Sequence, residues 1–397
     1  MSGKDHNVSR RNFIEAAGAA TVLGASSLAA AAAAKAQLDP ERKIRIGVVG
    51  GGFGSSFQWH LDPNCIVEAV SDLIPSRRAH LQRRYKCEKP YESLEKLVLD
   101  PKIEAVAVFT EAPNHARHVI ECMKHGKHAI SAVPACITLE EAAQMKEIKE
   151  KTGLKYMMAE TSYYRAPCIL ARELWADGKF GRFVFSEVEY YHPGIGAARS
   201  GLSVRGGKRT WRYGLPPMLY PTHSTAFHVG VTGERFTHVS CLGWADGDPA
   251  RKDNNPYGCP FANQTALFRA SGGNICRCNV YWNIVGHGER AQWLGEKLSM
   301  FMRSWSGQPF VIKGGGQGVP RSAPNYIGRL PKPMQVGSGH GGSHTFLTHE
   351  FISALVENRE PSVDLYEALA YTVPGIVAME SSAKGGEQLA IPSFDKA

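Results

Sequence analysis

Between residues 43 and 159 the apolar positions fall in short continuous runs, separated by amphipathic stretches and by Gly or Asn turns. Residues 43–50 form such a run and predict a strand, which enters Gly50, Gly51, Gly52, Phe53 and Gly54 and then a segment expected to be helical. A second strand is expected over 66–71, ending at Asp72. Residues 92–99 read as a helix, 104–109 as a buried strand, 114–125 as a helix stopped by Gly126, and 128–131 as a short strand. Thr138 with Glu141 three residues on is a capping box; it opens a helix running to about Thr152, with Gly153 past its end. Strands alternating with helices predict α/β structure, a doubly wound parallel sheet with helices on both faces.

The pattern then changes. Residues 183–191, 237–243, 265–270, 275–282 and 298–304 read as strands with only fair alternation. Residues 345–358 carry Phe346, Leu347, Phe351, Ile352 and Leu355 at helical spacing, a face that should pack on the core. Pro and Gly are dense across 307–341, which predicts a long loop region of the kind that often carries function. The expected division is an export signal over 1–36, a nucleotide-binding part over 37–160 and a substrate-binding part over 161–397.

Composition removes whole classes. With 397 residues, 43% hydrophobic and 21% charged, the chain is neither a disordered tail, a collagen nor a small disulfide scaffold. It has no strongly apolar run of roughly 18 residues, so stable membrane insertion is not expected. The 46 basic residues against 37 acidic ones give a net charge of +9, spread along the chain apart from short clusters at Arg77-Arg78 and Arg83-Arg84. That describes a slightly cationic surface rather than a nucleic-acid interface. Most of the nine cysteines read as small buried apolar residues; Cys276 and Cys278 share a strand face but lack zinc-ribbon spacing. No metal is expected, because His340, His344 and His349 are joined by no carboxylate or cysteine pattern.

The start of the chain reads as an address. Ser9, Arg10, Arg11, Asn12, Phe13 and Ile14 form a twin-arginine signature, and a weakly hydrophobic Ala-rich stretch follows from Ala16 to Ala34. Ala34-Lys35-Ala36 predicts cleavage before Gln37; the alternative is an uncleaved anchor, but alanine gains little by entering lipid. Removing the segment's four basic and two acidic residues leaves +7 over 361 residues. The twin-arginine machinery moves folded proteins, so a periplasmic or otherwise exported enzyme that acquires its cofactor beforehand is expected.

Candidate chemistry starts at the glycine turn. Gly50 suits a tight turn, and Gly52 lets the backbone approach a pyrophosphate at a helix N-terminus. Asp72 lies 22 residues after Gly50, where a carboxylate accepts the adenosine ribose hydroxyls. A carboxylate there favours NAD, because it would repel a 2′-phosphate; Arg77 and Arg78 keep NADP as the second choice. The third glycine of the pattern is replaced by Ser55. Thr110, Glu111, Ala112, Pro113, Asn114 and His115 follow a strand's carboxyl end, where open α/β sheets bind ligands.

These residues resemble the Gfo/Idh/MocA oxidoreductases over nearly all of the chain after the signal. The marks are the glycine turn, Thr110 to His115, Gly126-Lys127-His128, Ala132-Val133-Pro134 before the capping box, and Gly178 to Gly181. The resemblance implies a Rossmann domain followed by an α/β domain with a large open, mostly antiparallel sheet. It also implies a sugar or polyol substrate, and a dimer or tetramer built on the exposed sheet face. Two departures stand out: Val133 occupies the place of the usual lysine, and Tyr220-Pro221-Thr222-His223 replaces the usual Asp-x-Gly-x-His. Both resemble the NAD-dependent glycosidases of the α-N-acetylgalactosaminidase type, as does Gly337-Ser338-Gly339-His340-Gly341-Gly342. By position, the resemblance implies cofactor contacts at Phe53, Gly54, Asp72, the 112–115 loop, Ala132, Val133, Thr161 and Tyr220. It implies substrate contacts at Tyr190, Arg212, Tyr220, Thr222 and His223, with His287 in place of a substrate tyrosine. Ala132 stands where that branch has Glu.

The expected catalytic groups are His223 as acid/base, Tyr164 for a proton on carbon and His340 as a supporting donor, since His and Tyr suit proton transfer near neutral pH. Packing roles are the alternatives: a core histidine for His223, a sheet-packing ring for Tyr164, a loop role for His340. Three functions remain open. One is oxidation of a sugar hydroxyl, at C3, with a tightly held, recycled NAD. Another is redox-neutral glycoside hydrolysis by oxidation, elimination, addition and reduction. The third is non-catalytic binding of a sugar or nucleotide.

Overall fold

The computed structural model describes residues 41–252, 255–304 and 307–396. The twin-arginine segment lies outside the described residues. The first sheet has six parallel strands: β1 (Ile44–Val49), β2 (Cys65–Ser71), β3 (Pro90–Tyr91), β4 (Ala105–Val108), β5 (His128–Ser131) and β6 (Tyr156–Met158), in the order β3-β2-β1-β4-β5-β6. Strand order reverses between β1 and β4, so the crevice at their carboxyl ends is the ligand position of such a sheet. Gly50 turns there with φ 99°, and a Cβ on it would stand 2.2 Å from the carbonyl oxygen of Phe109, past the end of β4. Only glycine fits that close approach.

Helices α1 (Pro75–Tyr85), α2 (His115–Lys124) and α3 (Leu139–Thr152) flank the sheet. The cap forms with one shift from the expected box: Thr138 Oγ1 accepts from the Glu141 N–H at 3.1 Å, Glu141 Oε2 reaches back to the Ile137 N–H, one residue before the N-cap, at 2.8 Å, and Gly153 ends the helix at φ 65°. The helix read over 92–99 shrinks to Leu94–Leu97.

One expectation fails. No α-helix follows the glycine turn; two 3₁₀ turns, Phe53–Ser56 and Trp59–Leu61, take its place. The reason is where two large rings must go. Phe57 and Trp59 are both fully buried and stack on each other, centroids 6.0 Å apart at 13°. Residues two apart point to different faces of an α-helix, so burying both in one cluster requires a non-helical backbone.

The second sheet contains β7 (Phe183–Tyr191), β8 (Phe236–Trp244), β9 (Asn263–Ala270), β10 (Ile275–Tyr281), β11 (Gly288–Gly295), β12 (Leu298–Phe301), β13 (Val311–Gly314) and β14 (Leu389–Ala390). Their order is β13-β12-β11-β7-β10-β9-β8-β14, antiparallel throughout except for the β7–β10 pair. Strand β11 is not apparent from its sequence, and the Gly/Pro-rich stretch includes β13. Helix α4 (Ala166–Ala176) leads into β7. Every residue of α5 (Thr222–Thr232) is buried, because it is enclosed by β7, β10, β11, α4 and α7 (Leu365–Ala383).

The helix read over 345–358 is α6 (Ser343–Val356), and its packing partner lies in the first half of the chain. Leu347, Phe351 and Ile352 join one buried cluster with Ile46, Val48, Phe57 and Trp59. A late helix therefore covers the sheet beside the glycine turn, next to the 3₁₀ turns. No described helix is long and apolar enough to cross a membrane.

Candidate active site

Strand β6 ends at Met158, which sets Glu160 and Thr161 at the carboxyl edge of the first sheet. Glu160 is fully buried and begins the 3₁₀ turn Thr161–Tyr164, its Oε1 accepting from the Ser162 N–H at 2.8 Å. The same oxygen lies 2.8 Å from Nδ1 of His223, in the first turn of α5. A second carboxylate comes from β11: Glu289 accepts from Arg165 Nε at 2.7 Å, Arg165 Nη2 at 2.6 Å and Ser162 Oγ at 2.6 Å. This fork-on-carboxylate pair joins the turn after the first sheet to the second sheet.

The charges decide the protonation states. Burial alone would lower the pKa of His223, but the charge and hydrogen bond of Glu160, aided by Glu289, raise it above its ordinary value. Burial would raise that of Glu289, but Arg165 and His223 hold it at about 2. Glu160 and Glu289 thus favour the charged form of the His223 ring, against burial and the charge of Arg165.

Aromatic rings wall the histidine. Tyr190 and Tyr220 meet His223 edge-on, centroids 4.8 and 5.5 Å away. Against burial, nearby Arg212 lowers the pKa of the Tyr220 hydroxyl by its charge, and its guanidinium lies 4.2 Å from the ring centre of Trp211. Burial raises the pKa of both tyrosines, so they serve as neutral hydrogen-bonding groups. His340 lies nearly parallel to His223, centroids 6.4 Å apart, and touches Phe53 of the glycine turn edge-on.

The residues present fit a dinucleotide. A Cβ on Gly52 would meet nothing within 4 Å, which leaves open space over the backbone where a pyrophosphate would lie. Asp72 Oδ2 accepts from the Gly51 N–H at 2.6 Å and Oδ1 from the Ile74 N–H at 2.8 Å, so the carboxylate is held at the end of β2 with lone pairs to spare. Glu160 Oε2, Thr161 Oγ1 and Thr222 Oγ1 are buried without a partner among the described residues. Buried polar atoms without partners are costly, and a bound ligand would satisfy them.

Several sequence candidates have other duties. Tyr164 is turned away: its ring stacks on Phe346, centroids 5.7 Å apart, and burial with the nearby charge of Glu350 pushes its pKa well up. It is a packing residue here, because the 3₁₀ turn directs consecutive side chains to different sides. His115 is buried with its ring nitrogens facing two backbone carbonyls, Pro134 at 2.7 Å and Thr110 at 3.1 Å, so it shapes the loop from within. Thr110 Oγ1 bonds His118 Nδ1 at 2.8 Å. Asn114 stands at the N-cap position of α2 without a side-chain cap bond, and Val133 packs in the apolar core. Exposed His287 meets His192 edge-on at 4.8 Å, which leaves it at the rim. His349 turns to Asp62 at 2.8 Å, away from His340 and His344.

Sequence reasoning missed Glu160, Ser162, Arg165 and Glu289. Glu160 had a signal, since it follows a strand's carboxyl end; Arg165 and Glu289 are 124 residues apart and had none.

The oxidoreductase-family model for an NAD-binding Rossmann fold matches residues 44–160. The model for the C-terminal domain of glycosyl hydrolase 109 matches residues 329–397. The chain joins a Gfo/Idh/MocA-family Rossmann domain to a glycosyl hydrolase 109 C-terminal domain. It is an enzyme, and its cofactor is NAD. A glycosyl hydrolase family 109 protein of Solibacter usitatus is 24% identical, over 98% of this chain and 97% of that protein. The α-N-acetylgalactosaminidase of Shewanella oneidensis is 27% identical over 60% of this chain and 59% of its own length. In structure, levoglucosan dehydrogenase solved with NADH and levoglucosan superposes with a TM-score of 0.71 at 20% identity, covering 89% of this chain and all of that one. An oxidoreductase domain protein from Kribbella flavida gives 0.71 at 18% identity, with coverage of 89% and 100%.

Proposed function

We propose that the protein is an exported, NAD-dependent glycosidase that works by a redox-neutral cycle on a sugar. The carrying observation is the pair of imidazoles, His223 on Glu160 and His340 opposite, in a chain that has Val133 where the family's lysine would stand. Simple dehydrogenation of a hydroxyl needs one proton-transfer group; elimination followed by addition needs two. The match of the glycosyl hydrolase 109 model to 329–397, which contains His340, supports the reading.

NAD bound along the glycine turn would supply a reversible acceptor for the hydrogen on a sugar carbon. The chain's own groups do the rest. His223 moves the proton of the reacting hydroxyl, and Glu160 holds the ring and stabilises the imidazolium. Once a carbonyl stands at C3, the neighbouring C–H is acid enough for a modest base, and the group at C1 can leave. Tyr190, Tyr220 and Arg212 orient the sugar through hydrogen bonds that do not change protonation. A closed cycle also suits an exported enzyme, which has no dependable supply of free nucleotide.

The test is direct. Purified protein, with no cofactor added, should release nitrophenol continuously from one member of a panel of α- and β-nitrophenyl glycosides, without net reduction of the bound nicotinamide. Absence of release, with a reduced-nicotinamide signal on free sugar, would instead mean a net oxidoreductase that waits for a second substrate. Export is checked separately: cell fractionation should find a periplasmic chain that starts at Gln37, and a cytoplasmic chain retaining Arg10 and Arg11 would sink that part.

A further inference from the structure

We propose that His344 is a positioning residue: it fixes the proton of His340 on Nδ1, which leaves His340 Nε2 as an acceptor beside His223 and ties the proton chemistry to the glycine turn. Ser56, at the end of the 3₁₀ turn that follows Gly52, has its oxygen 3.2 Å from Nδ1 of His344. A carbonyl only accepts, so His344 carries its proton on Nδ1. Burial lowers the pKa of His344, which keeps the ring neutral, and Nε2 is then a lone pair. That nitrogen lies 2.8 Å from Nδ1 of His340, which must therefore donate.

His340 is held neutral as well. The residue is exposed overall; partial burial of its ring, then the neighbouring His223 and His344, lowers its pKa to about 4. The groups that face it are His223 on α5, His344 on α6, Glu289 on β11 and Arg165 after the 3₁₀ turn. Its Nε2 has no hydrogen-bond partner among the described residues. The polarity of the chain is fixed from one end: the Ser56 carbonyl accepts from His344, and His344 accepts from His340. His340 is thus an acceptor toward the crevice, not the donor expected from its sequence.

The surroundings hold this arrangement. The His344 ring lies flat on Phe57, centroids 4.6 Å apart at 2°, and Phe53 meets His344 edge-on at 5.3 Å. A Cβ on Gly339 would come within 2.5 Å of His344 Cε1, so the loop rests directly on the ring. His340 itself sits at φ 52°, a left-handed conformation that is unfavourable for a non-glycine residue. Strain of that kind persists where the surroundings impose it. Two histidines side by side, with protonation pushed in opposite directions, divide the work: His223 carries the proton of the reacting hydroxyl, and His340 accepts one elsewhere on the sugar.

The assignment rests on the proposed reaction only for what the acceptor is used for; its test needs no substrate. Nitrogen-15 spectra of the full chain labelled in histidine report which ring nitrogen carries the proton, with signals assigned by His340→Gln and His344→Phe. At pH 7 both rings should show the Nδ1–H form, and His340 should not titrate until about pH 4. Addition of NAD should move the His344 signals. His344→Phe keeps the stack on Phe57 but removes both nitrogens, so His340 should revert to mainly the Nε2–H form. On an active glycoside that variant should lose roughly tenfold or more in kcat with little change in KM. An Nε2–H or imidazolium His340 in the wild type at pH 7 overturns the proposal, as does an unchanged His340 in His344→Phe. Should that variant not fold, the wild-type spectrum decides alone. The expected spectra without turnover of any glycoside would sink the glycosidase reading and leave this assignment standing.

Discussion

Glu160→Gln is expected to lower kcat by about 10²- to 10⁴-fold while the protein stays folded, the range that a correctly poised acid/base contributes. The replacement keeps the shape of the side chain and removes the charge that His223 Nδ1 faces at 2.8 Å. Burial would then dominate the ring, so the pKa of His223, raised above 6.5 by Glu160 in the wild type, should drop. The limb of the kcat/KM profile that belongs to His223 should move toward acid by the same amount. Stability follows in sign: a raised histidine pKa contributes stability that is fully present below about 6.5 and is lost as pH rises through the folded value, and Glu160→Gln should flatten that dependence. Melting curves and pH–rate profiles of the two proteins decide it. A variant with wild-type kcat and an unmoved limb would remove the dyad from the mechanism.

Arg165→Met should cost about 3–5 kcal/mol of stability at pH 7, the usual loss when one partner of a buried ion pair is removed. Glu289, with a side chain only 6% exposed, would keep a hydroxyl partner in Ser162 but no cation at hydrogen-bond distance. The sign of the pH dependence gives a second check. In the wild type the Glu289 pKa is depressed from 4.5 to about 2, which contributes stability above 4.5 that disappears as pH falls toward 2. At about 1.4 kcal/mol per unit this amounts to roughly 3 kcal/mol. In Arg165→Met the acid limb should fade or reverse, because a buried carboxyl without its cation prefers to be protonated. Urea unfolding at pH 7 and at pH 4 measures both effects, and Glu289→Gln added to the variant should recover much of the loss. A cost below about 1 kcal/mol at pH 7 would show that the pair does not bind the two sheets together.

The two predictions concern residues with very different visibility. Glu160 follows a short apolar strand, and position alone makes it a candidate. Arg165 and Glu289 carry no such mark; charged residues beside a turn and on a strand are ordinarily solvated. The helix expected after Gly52 failed for a related reason: the glycine turn announces a nucleotide site, but Phe57 and Trp59 must both enter one cluster, and that outweighs local helix preference. Tyr164 and Tyr163 could not be told apart in role from the chain alone, because a single 3₁₀ turn decides which way each ring points.

The sequence by itself determined the nucleotide-binding half, the cofactor class and the presence of a sheet-rich second half. Those depend on features within a few residues of each other: runs of apolar side chains, a turn only glycine can make, an acid at the end of the next strand, a capping box. The tertiary structure alone decided the chemistry. Glu160 meets His223 across 63 residues, Arg165 meets Glu289 across 124, and the Ser56 carbonyl meets His344 across 288. Local propensity sets which elements form, while packing of α5 and α6 against two sheets sets which polar groups share a low-dielectric crevice. Only there do burial and neighbouring charge drive one histidine toward its charged form and the other toward its neutral one.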